Sequence, residues 1–531
     1  MWKWAETEYI KIADSKSQSR EKAGNDMKYF VTAEEMKQCD KYTIETIGIP
    51  SLVLMERAAL AVLSEWKNRK INISAPLIVC GVGNNGGDGA ALARLLFCMG
   101  SDVTLVIVGN LEKATKEFLT NLKIAENLGI KWYSDIPHKE YTIVADAIFG
   151  VGLSRAVEGE FLAKIKQMNQ ISAPHCAIDL PSGVHADTGQ IMGGAFLADF
   201  TVTFAFYKVG MAFYPARSYC GEVMVKDVGI MAHDLTTEHL GGLGAEREDI
   251  KRLLPKRRPD SNKGTYGKLL LVMGSKNMAG AAVMAARAAY ASGCGYVRIL
   301  TAEENRSILQ QQVPEAVLST YSKKHSGKEL KVIVKEAMEG VTAVGIGSGL
   351  STGKQAEQLL EIVLKTVKVP LLLDADALNL LAKWNFLGER NPEGIPIVMT
   401  PHLGELSRLS GETISKIKQD PAAFAKWFSK EHQITLVQKE ATTIVAAPGK
   451  RMYVNLTGNP GMSTAGSGDV LAGLLSGFLA QRMEAWEAGV LAVCLHGMAG
   501  DLAAEKKSEI SMTALDLADQ LSKAVLLCME S

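Results

Sequence analysis

From Pro76 onward the chain repeats one unit: a short apolar run rich in β-branched residues, a turn bearing Gly or Asp, then a stretch with helical spacing. Apolar runs with few polar interruptions suit strands buried on both faces, so the repeat predicts parallel sheets covered by helices. In the first half the runs are Leu77 to Cys80, Val103 to Val108, Ile143 to Ala145, Cys176 to Ile178 and Val202 to Ala205. Upstream, Met36, Tyr42, Ile44, Ile47, Leu54, Ala58 and Val62 follow helical spacing between Thr32 and Trp66, which predicts helices packed on the sheet or on a second subunit.

The pattern breaks after Ile230, where Gly241, Gly242 and Gly244 precede the basic run Lys256, Arg257, Arg258, and it then restarts. Strands are predicted near Lys268 to Met273, Tyr296 to Leu300, Val341 to Ile346, Pro370 to Leu373, Pro396 to Met399 and Ile434 to Val437. Helices are predicted from Asp469 to Ala480, Trp486 to Ala503 and Ala514 to Leu527. The expected organisation is an extension over residues 1–27, one α/β domain over 28–235 and another over 245–528. Met27 is a candidate natural start. The first residues lack the apolar core of a secretory signal.

Composition narrows the functional classes. The 531 residues include 58 Lys plus Arg and 58 Asp plus Glu, so no net field favours nucleic acid or an anionic membrane. The apolar runs are broken by Gly, Lys or Asp short of a membrane span. The eight cysteines (Cys39, Cys80, Cys98, Cys176, Cys220, Cys294, Cys494, Cys528) show no metal-ligand rhythm, which suits a reducing cytoplasm. Small-molecule chemistry is the remaining expectation.

Three turns of the first half carry that chemistry. The run Gly81-Val82-Gly83-Asn84-Asn85-Gly86-Gly87-Asp88-Gly89 follows a strand and opens a helix, with glycine spacing that lets backbone approach a pyrophosphate. The acidic residue of an ordinary dehydrogenase is missing after the next strand, where Gly109 and Asn110 stand. Asp146 to Gly152 and Asp179 to Gly183 leave neighbouring strand ends and should converge with the first turn. Asn85, Asp146 and Ser182 can offer oxygen ligands to a hard cation, and Asp179 can serve as acid or base. Helix capping is the alternative use of these aspartates.

These turns, together with Met55-Glu56-Arg57-Ala58, resemble the NAD(P)HX epimerase family over about residues 28 to 230. The resemblance implies a Rossmann-like three-layer domain acting on hydrated NADH or NADPH. It places Asn84, Asn85, Gly86, Gly87, Asp88, Gly150, Val151, Gly152, Leu153, Ser154, Arg155, Ala156 and Asp179 on the substrate, and a potassium ion on Asn85, Asp146 and Ser182. Lys208 matches the family's lysine and is a candidate to steady phosphate charge, or else a solvated strand-end residue.

The second half has a stronger signal. Gly458 to Gly473 is a run of small residues leading into a helix, with Asp469 at its start. Backbone N–H groups of Gly466 to Gly468 can hold a transferring phosphoryl group while Asp469 takes a proton from an attacking hydroxyl. No Walker A loop is present: Gly349 to Lys354 has the wrong spacing.

That turn resembles the ribokinase-like superfamily. Its companions (Gly274-Ser275, Ala279 to Ala282, Gly345 to Leu350, Leu373 to Asn379, Thr400 to Glu405) resemble the NAD(P)HX dehydratase family over about residues 250 to 528. The resemblance implies that Ala281, Gly347 or Gly349, His402 and Asp469 meet the hydrated nucleotide. Lys439, Glu440, Ala441, Thr442, Thr443 and Gly468 would meet the adenine nucleotide, with ADP as cosubstrate, Mg2+ as cofactor and a homo-oligomeric assembly. Two positions depart from the family: Glu440 replaces a usual glycine and sets a carboxylate near phosphates, and Ala465 stands where glycine is common. A ribokinase-like kinase with a nucleotide-sensing N-terminal domain, or a scaffold without catalysis, are the competing readings.

Overall fold

The structure is a computed structural model and describes residues 28–235, 241–384 and 394–530. The expected N-terminal extension and Met27 lie outside the described residues.

The first half builds a seven-stranded parallel sheet in the order Trp132–Tyr133, Thr104–Ile107, Pro76–Cys80, Ile143–Ala147, His175–Ile178, Phe200–Phe204, Glu222–Lys226. All five expected strands are present, and their central residues are fully buried. The two additional strands are edges. Trp132–Tyr133 is exposed on both residues and Glu222–Lys226 is at most half-buried, so neither has the continuous apolar run of a central strand. Strand order reverses between Pro76–Cys80 and Ile143–Ala147, and in an open parallel sheet a ligand settles at the carboxyl ends beside such a reversal.

The second half builds a twelve-stranded sheet. Seven strands are parallel, in the order Val317–Tyr321, Tyr296–Ala302, Lys268–Val272, Ala343–Ile346, Leu371–Leu373, Ile397–Met399, Thr435–Gln438. Antiparallel Ile444–Ala446 and Met452–Val454 follow. The sheet continues through Gly242–Gly244 into Lys28–Val31 and Tyr207–Lys208, which belong in sequence to the first half. The two halves therefore share backbone pairing instead of meeting only through a linker. Glu35 and Arg451 form a buried ion pair at 2.6 Å beside this seam.

Helices fill both faces. The segment expected to be helical from Thr32 to Trp66 divides into Ala33–Lys41, a wider turn over Tyr42–Thr46, and Ser51–Asn68. Thr32 caps the first piece reciprocally with Glu35. Ala485–Lys507 is long and apolar enough to cross a membrane, contrary to the sequence expectation that no segment reaches that length. In the span that meets this test 83% of the residues are buried inside the protein, among the sheet and the helices Ser467–Ala480 and Ala514–Glu530, as a core helix.

Candidate functional site

At the first reversal point, the glycines of the Gly81–Gly89 run mostly serve packing. A Cβ on Gly86 would stand 1.8 Å from the Gly81 carbonyl oxygen, and one on Gly89 would stand 2.5 Å from Ala147 Cβ. These glycines let the helix Asn84–Cys98 press against the strand ends, leaving its first N–H groups uncapped by any side chain. Gly86 and Gly87 are buried, whereas Gly83, Asn84, Asn85 and Asp88 line a cavity of about 680 Å³. Gly150, Val151, Gly152, Leu153 and Asp179 line it too, while Ser154, Arg155 and Ala156 are exposed outside that lining.

Asp179 is held at a left-handed backbone position, φ 67°, directly after strand His175–Ile178. Its Oδ1 accepts from Lys208 Nζ at 2.5 Å, Thr203 Oγ1 at 3.1 Å and Phe204 N at 3.4 Å. Its Oδ2 faces the Gly150 turn. Lys208 is fully buried and also donates to Thr203 Oγ1 and the Phe204 carbonyl. Its three protons are thus committed to Asp179 and the neighbouring strand. It is neither a solvated strand-end lysine nor turned to a phosphate.

Asp146 is fully buried, and burial pushes its carboxyl up to about 6 against the pull of donors from Ser182 and Ile148. It accepts from Ser182 N and Oγ at 2.7 Å each and from Ile148 N at 3.1 Å. Asp146 therefore ties two of the turns together and caps no helix, since none begins at either turn. Asn85 differs: both polar atoms of its buried amide lack a hydrogen-bond partner. An orphaned buried amide oxygen fits the oxygen chemistry of a hard monovalent cation.

One further carboxylate escaped the sequence reading because it belongs to no turn motif. Asp40, on helix Ala33–Lys41, lines the same cavity as Asp179. Burial and the Asp179 charge push its carboxyl up to about 6, with Lys208 opposing. Asp88 is raised well above its usual range, by burial first and then by Asp179 and Asp40.

The second site gathers at strand ends of the larger sheet. Helix Ser467–Ala480 begins at Gly466, φ 96°, so Asp469 is its third residue rather than its first. Burial and the Asp374 charge push the Asp469 carboxyl up to about 6. Asp374 is buried and accepts from Lys439 Nζ at 2.8 Å, Thr400 Oγ1 at 2.7 Å and Ser348 Oγ at 2.9 Å. Burial works against the charge of Lys439, but the carboxylates of Asp374, Glu405 and Asp469 outweigh it and raise the ammonium. A Cβ on Gly468 would sit 3.3 Å from Lys439 Nζ, which puts a fixed cation beside the small-residue turn. Buried His496, pushed down to about 4 by burial, holds that turn through a 2.9 Å contact from Nε2 to the Ser467 carbonyl.

Gly347, φ 132°, lies so close to the Asp374 carbonyl that a Cβ would stand 1.8 Å from its oxygen. Gly349 abuts Ala281. His402 caps helix Leu403–Ser410, its Nδ1 accepting from Gly404 N at 3.0 Å, while the ring remains half exposed beside the site. Glu440 pairs with Lys418 at 2.7 Å, which offsets its charge. Ala441 is exposed and Thr443 Oγ1 donates to the Glu440 carbonyl. Thr442 turns toward the first half, donating to the Ala212 carbonyl and accepting from Arg217.

One open parallel sheet and one mixed sheet with a parallel core, each carrying small-residue turns and carboxylates at its strand ends, define an α/β enzyme with a Rossmann-like and a ribokinase-like site. The NAD(P)H-hydrate dehydratase family model matches residues 269–523, and that of the YjeF-related protein N-terminus matches residues 51–210. The bifunctional NAD(P)H-hydrate repair enzyme of Moorella thermoacetica is 37% identical over 93% of this chain and 96% of its own. That of Escherichia coli is 31% identical, covering 93% of each. A solved ADP/ATP-dependent NAD(P)H-hydrate dehydratase from Bacillus subtilis, co-crystallised with ATP and Mg2+, is 30% identical over 53% of this chain and 97% of that one, with a TM-score of 0.47. The chain belongs to the bifunctional NAD(P)H-hydrate repair enzymes.

Proposed function

We propose that the first site interconverts the R and S epimers of hydrated NADH and NADPH, and that the second dehydrates the S epimer with ADP, releasing AMP and phosphate. The observation that carries the reading is the assembly of Asp469, Lys439 and Asp374 around the Gly466–Gly468 turn.

The C6 hydroxyl of the hydrated ring is a poor leaving group. Asp469 takes its proton as the oxygen attacks the terminal phosphorus of ADP, and AMP departs. Backbone N–H groups of the turn and the Lys439 ammonium hold the transferred phosphoryl group. Loss of phosphate, pushed by the ring nitrogen, and of a ring proton restores the dihydropyridine. Mg2+ would shield the charge of the bound nucleotide.

In the first site, Asp179 faces the hydrated ring with its free Oδ2 and assists proton transfer as the hydroxyl leaves and water returns to the other face. Potassium would be held by Asn85, Asp146 and Ser182 and would supply fixed positive charge near the phosphates. The buried orphan amide of Asn85 supports this assignment.

Exposed Ile47, Leu52, Val53 and Leu60 support burial of this face against another copy of the chain. Eight free cysteines, seven of them buried, suit a reducing cytoplasm. The test is to mix the purified chain with ADP and hydrated NADPH. Regained dihydronicotinamide absorbance with AMP and phosphate supports repair, and a stable phosphorylated product instead would identify a kinase.

A further inference from the structure

Fully buried polar groups find protein partners, whereas a part-buried carboxylate without one is left open to water or a ligand. Asp40 has no hydrogen-bond or ion-pair partner among the described residues, although it sits in the last turn of Ala33–Lys41 where Lys41 is close in sequence. Its helix contributes Ala33, Met36, Lys37 and Asp40 to the wall of the 680 Å³ cavity that Asp179 also lines. The two carboxylates come from different elements, and the Asp179 charge bears on Asp40.

Their surroundings differ. Asp179 is gripped on one oxygen by Lys208, Thr203 and Phe204 and keeps the other open. Asp40 has burial and then the Asp179 field against its charge, and only the field of Lys208 to favour it. Other charged groups facing the cavity are Glu34 and Lys37 on the helix of Asp40, Asp88 beneath, and Glu117 from helix Lys116–Asn127. Two neighbouring carboxyl groups in unlike environments divide acid and base roles between them.

We propose that Asp40 is the second acid–base group of epimerisation, acting on the substrate's C6 oxygen from the helix side of the cavity while Asp179 acts from the strand ends. This assignment rests on the epimerase reading of the site. Protonated Asp40 gives its proton to the C6 hydroxyl; the C–O bond breaks, its electron pair leaves with water, and the ring-nitrogen lone pair forms an iminium. A second water bonds to C6 on the opposite face as Asp179 takes its proton, and the nitrogen recovers its lone pair. The pair ends with its one proton moved from Asp40 to Asp179, and exchange with solvent resets it. For the other epimer the roles exchange, so both directions need the pair singly protonated.

The test uses the full chain with each epimer of hydrated NADPH, separated by chromatography. Asp40→Asn is expected to slow interconversion at least about a hundredfold with little change in KM. It should also remove the upper pH limb expected of wild type near 6. Dehydration of the S epimer by the same preparation should be unchanged, and Asp40→Glu should restore part of the rate together with the limb. Interconversion by Asp40→Asn within about threefold of wild type, with the limb still present, overturns the assignment. If Asp40→Asn also loses dehydration, the wild-type profile and Asp40→Glu decide, and a wild type without the limb overturns it. A wild type that does not interconvert the epimers at all defeats the epimerase reading itself, a result distinct from an active wild type indifferent to Asp40.

Discussion

Thr442 donates its hydroxyl to the Ala212 carbonyl at 2.5 Å, tying the turn that carries Lys439 to the segment that follows Lys208. Lys439 pairs with Asp374 at the proposed phosphoryl-transfer site and Lys208 with Asp179 at the proposed epimerase site, so the two proposed sites are joined by a short run of backbone. Arg217 reinforces the link through Thr442 Oγ1 at 3.3 Å and the Leu456 carbonyl at 3.0 Å.

Thr442→Val keeps the shape and removes the donor, leaving the Ala212 carbonyl without that partner. The expected cost is about 1–3 kcal/mol, with a higher KM for ADP because the Lys439 turn loses its anchor. Calorimetry and steady-state kinetics measure both; an unchanged melting temperature contradicts the role of this contact.

Lys439→Met removes the cation that faces buried Asp374. Breaking a buried pair by deleting one partner costs about 3–5 kcal/mol, and dehydration should fall far more than epimerisation. Denaturant titration followed by assays of both activities checks this, and equal loss of the two activities would count against the division of labour.

The two activities should respond to pH in opposite directions. Asp469 must be ionised to accept a proton, and its raised carboxyl titrates at about 6, so kcat/KM for dehydration should rise as pH increases through that value. Asp40 must retain a proton in one member of its pair, so interconversion should decline above about 6. Parallel profiles on one preparation test the signs, and two profiles of the same slope contradict them.

Glu440→Gly restores the residue usual in the family at this position. Because Glu440 already pairs with Lys418, the ADP KM should shift by less than about fivefold, within the 0–1 kcal/mol of a partly exposed pair. A much larger gain in affinity would show that the carboxylate repels bound phosphate.

The central strands were legible because they are buried on both faces and read as almost unbroken apolar runs. Trp132–Tyr133 and Glu222–Lys226 escaped because exposed edges lack that signature. The seam was hidden for another reason: pairing of Lys28–Val31 with Gly242–Gly244 joins residues over two hundred apart in sequence, and neither segment carries a periodic signal for its partner. At the sites, the turn motifs led to Asp179 and Asp469 and the resemblance to Lys208, each embedded in a turn or strand-end sequence. Asp40 and His496 lie within helices, where only the fold reveals what they face.

The most direct measurement compares Asp469→Asn with wild type for recovery of dihydronicotinamide absorbance from S-hydrated NADPH and ADP, with epimer exchange followed on the same sample. The account predicts that dehydration, and with it AMP and phosphate release, falls by at least about a hundredfold while exchange continues at the wild-type rate. Dehydration persisting near the wild-type rate in a folded Asp469→Asn chain would contradict it.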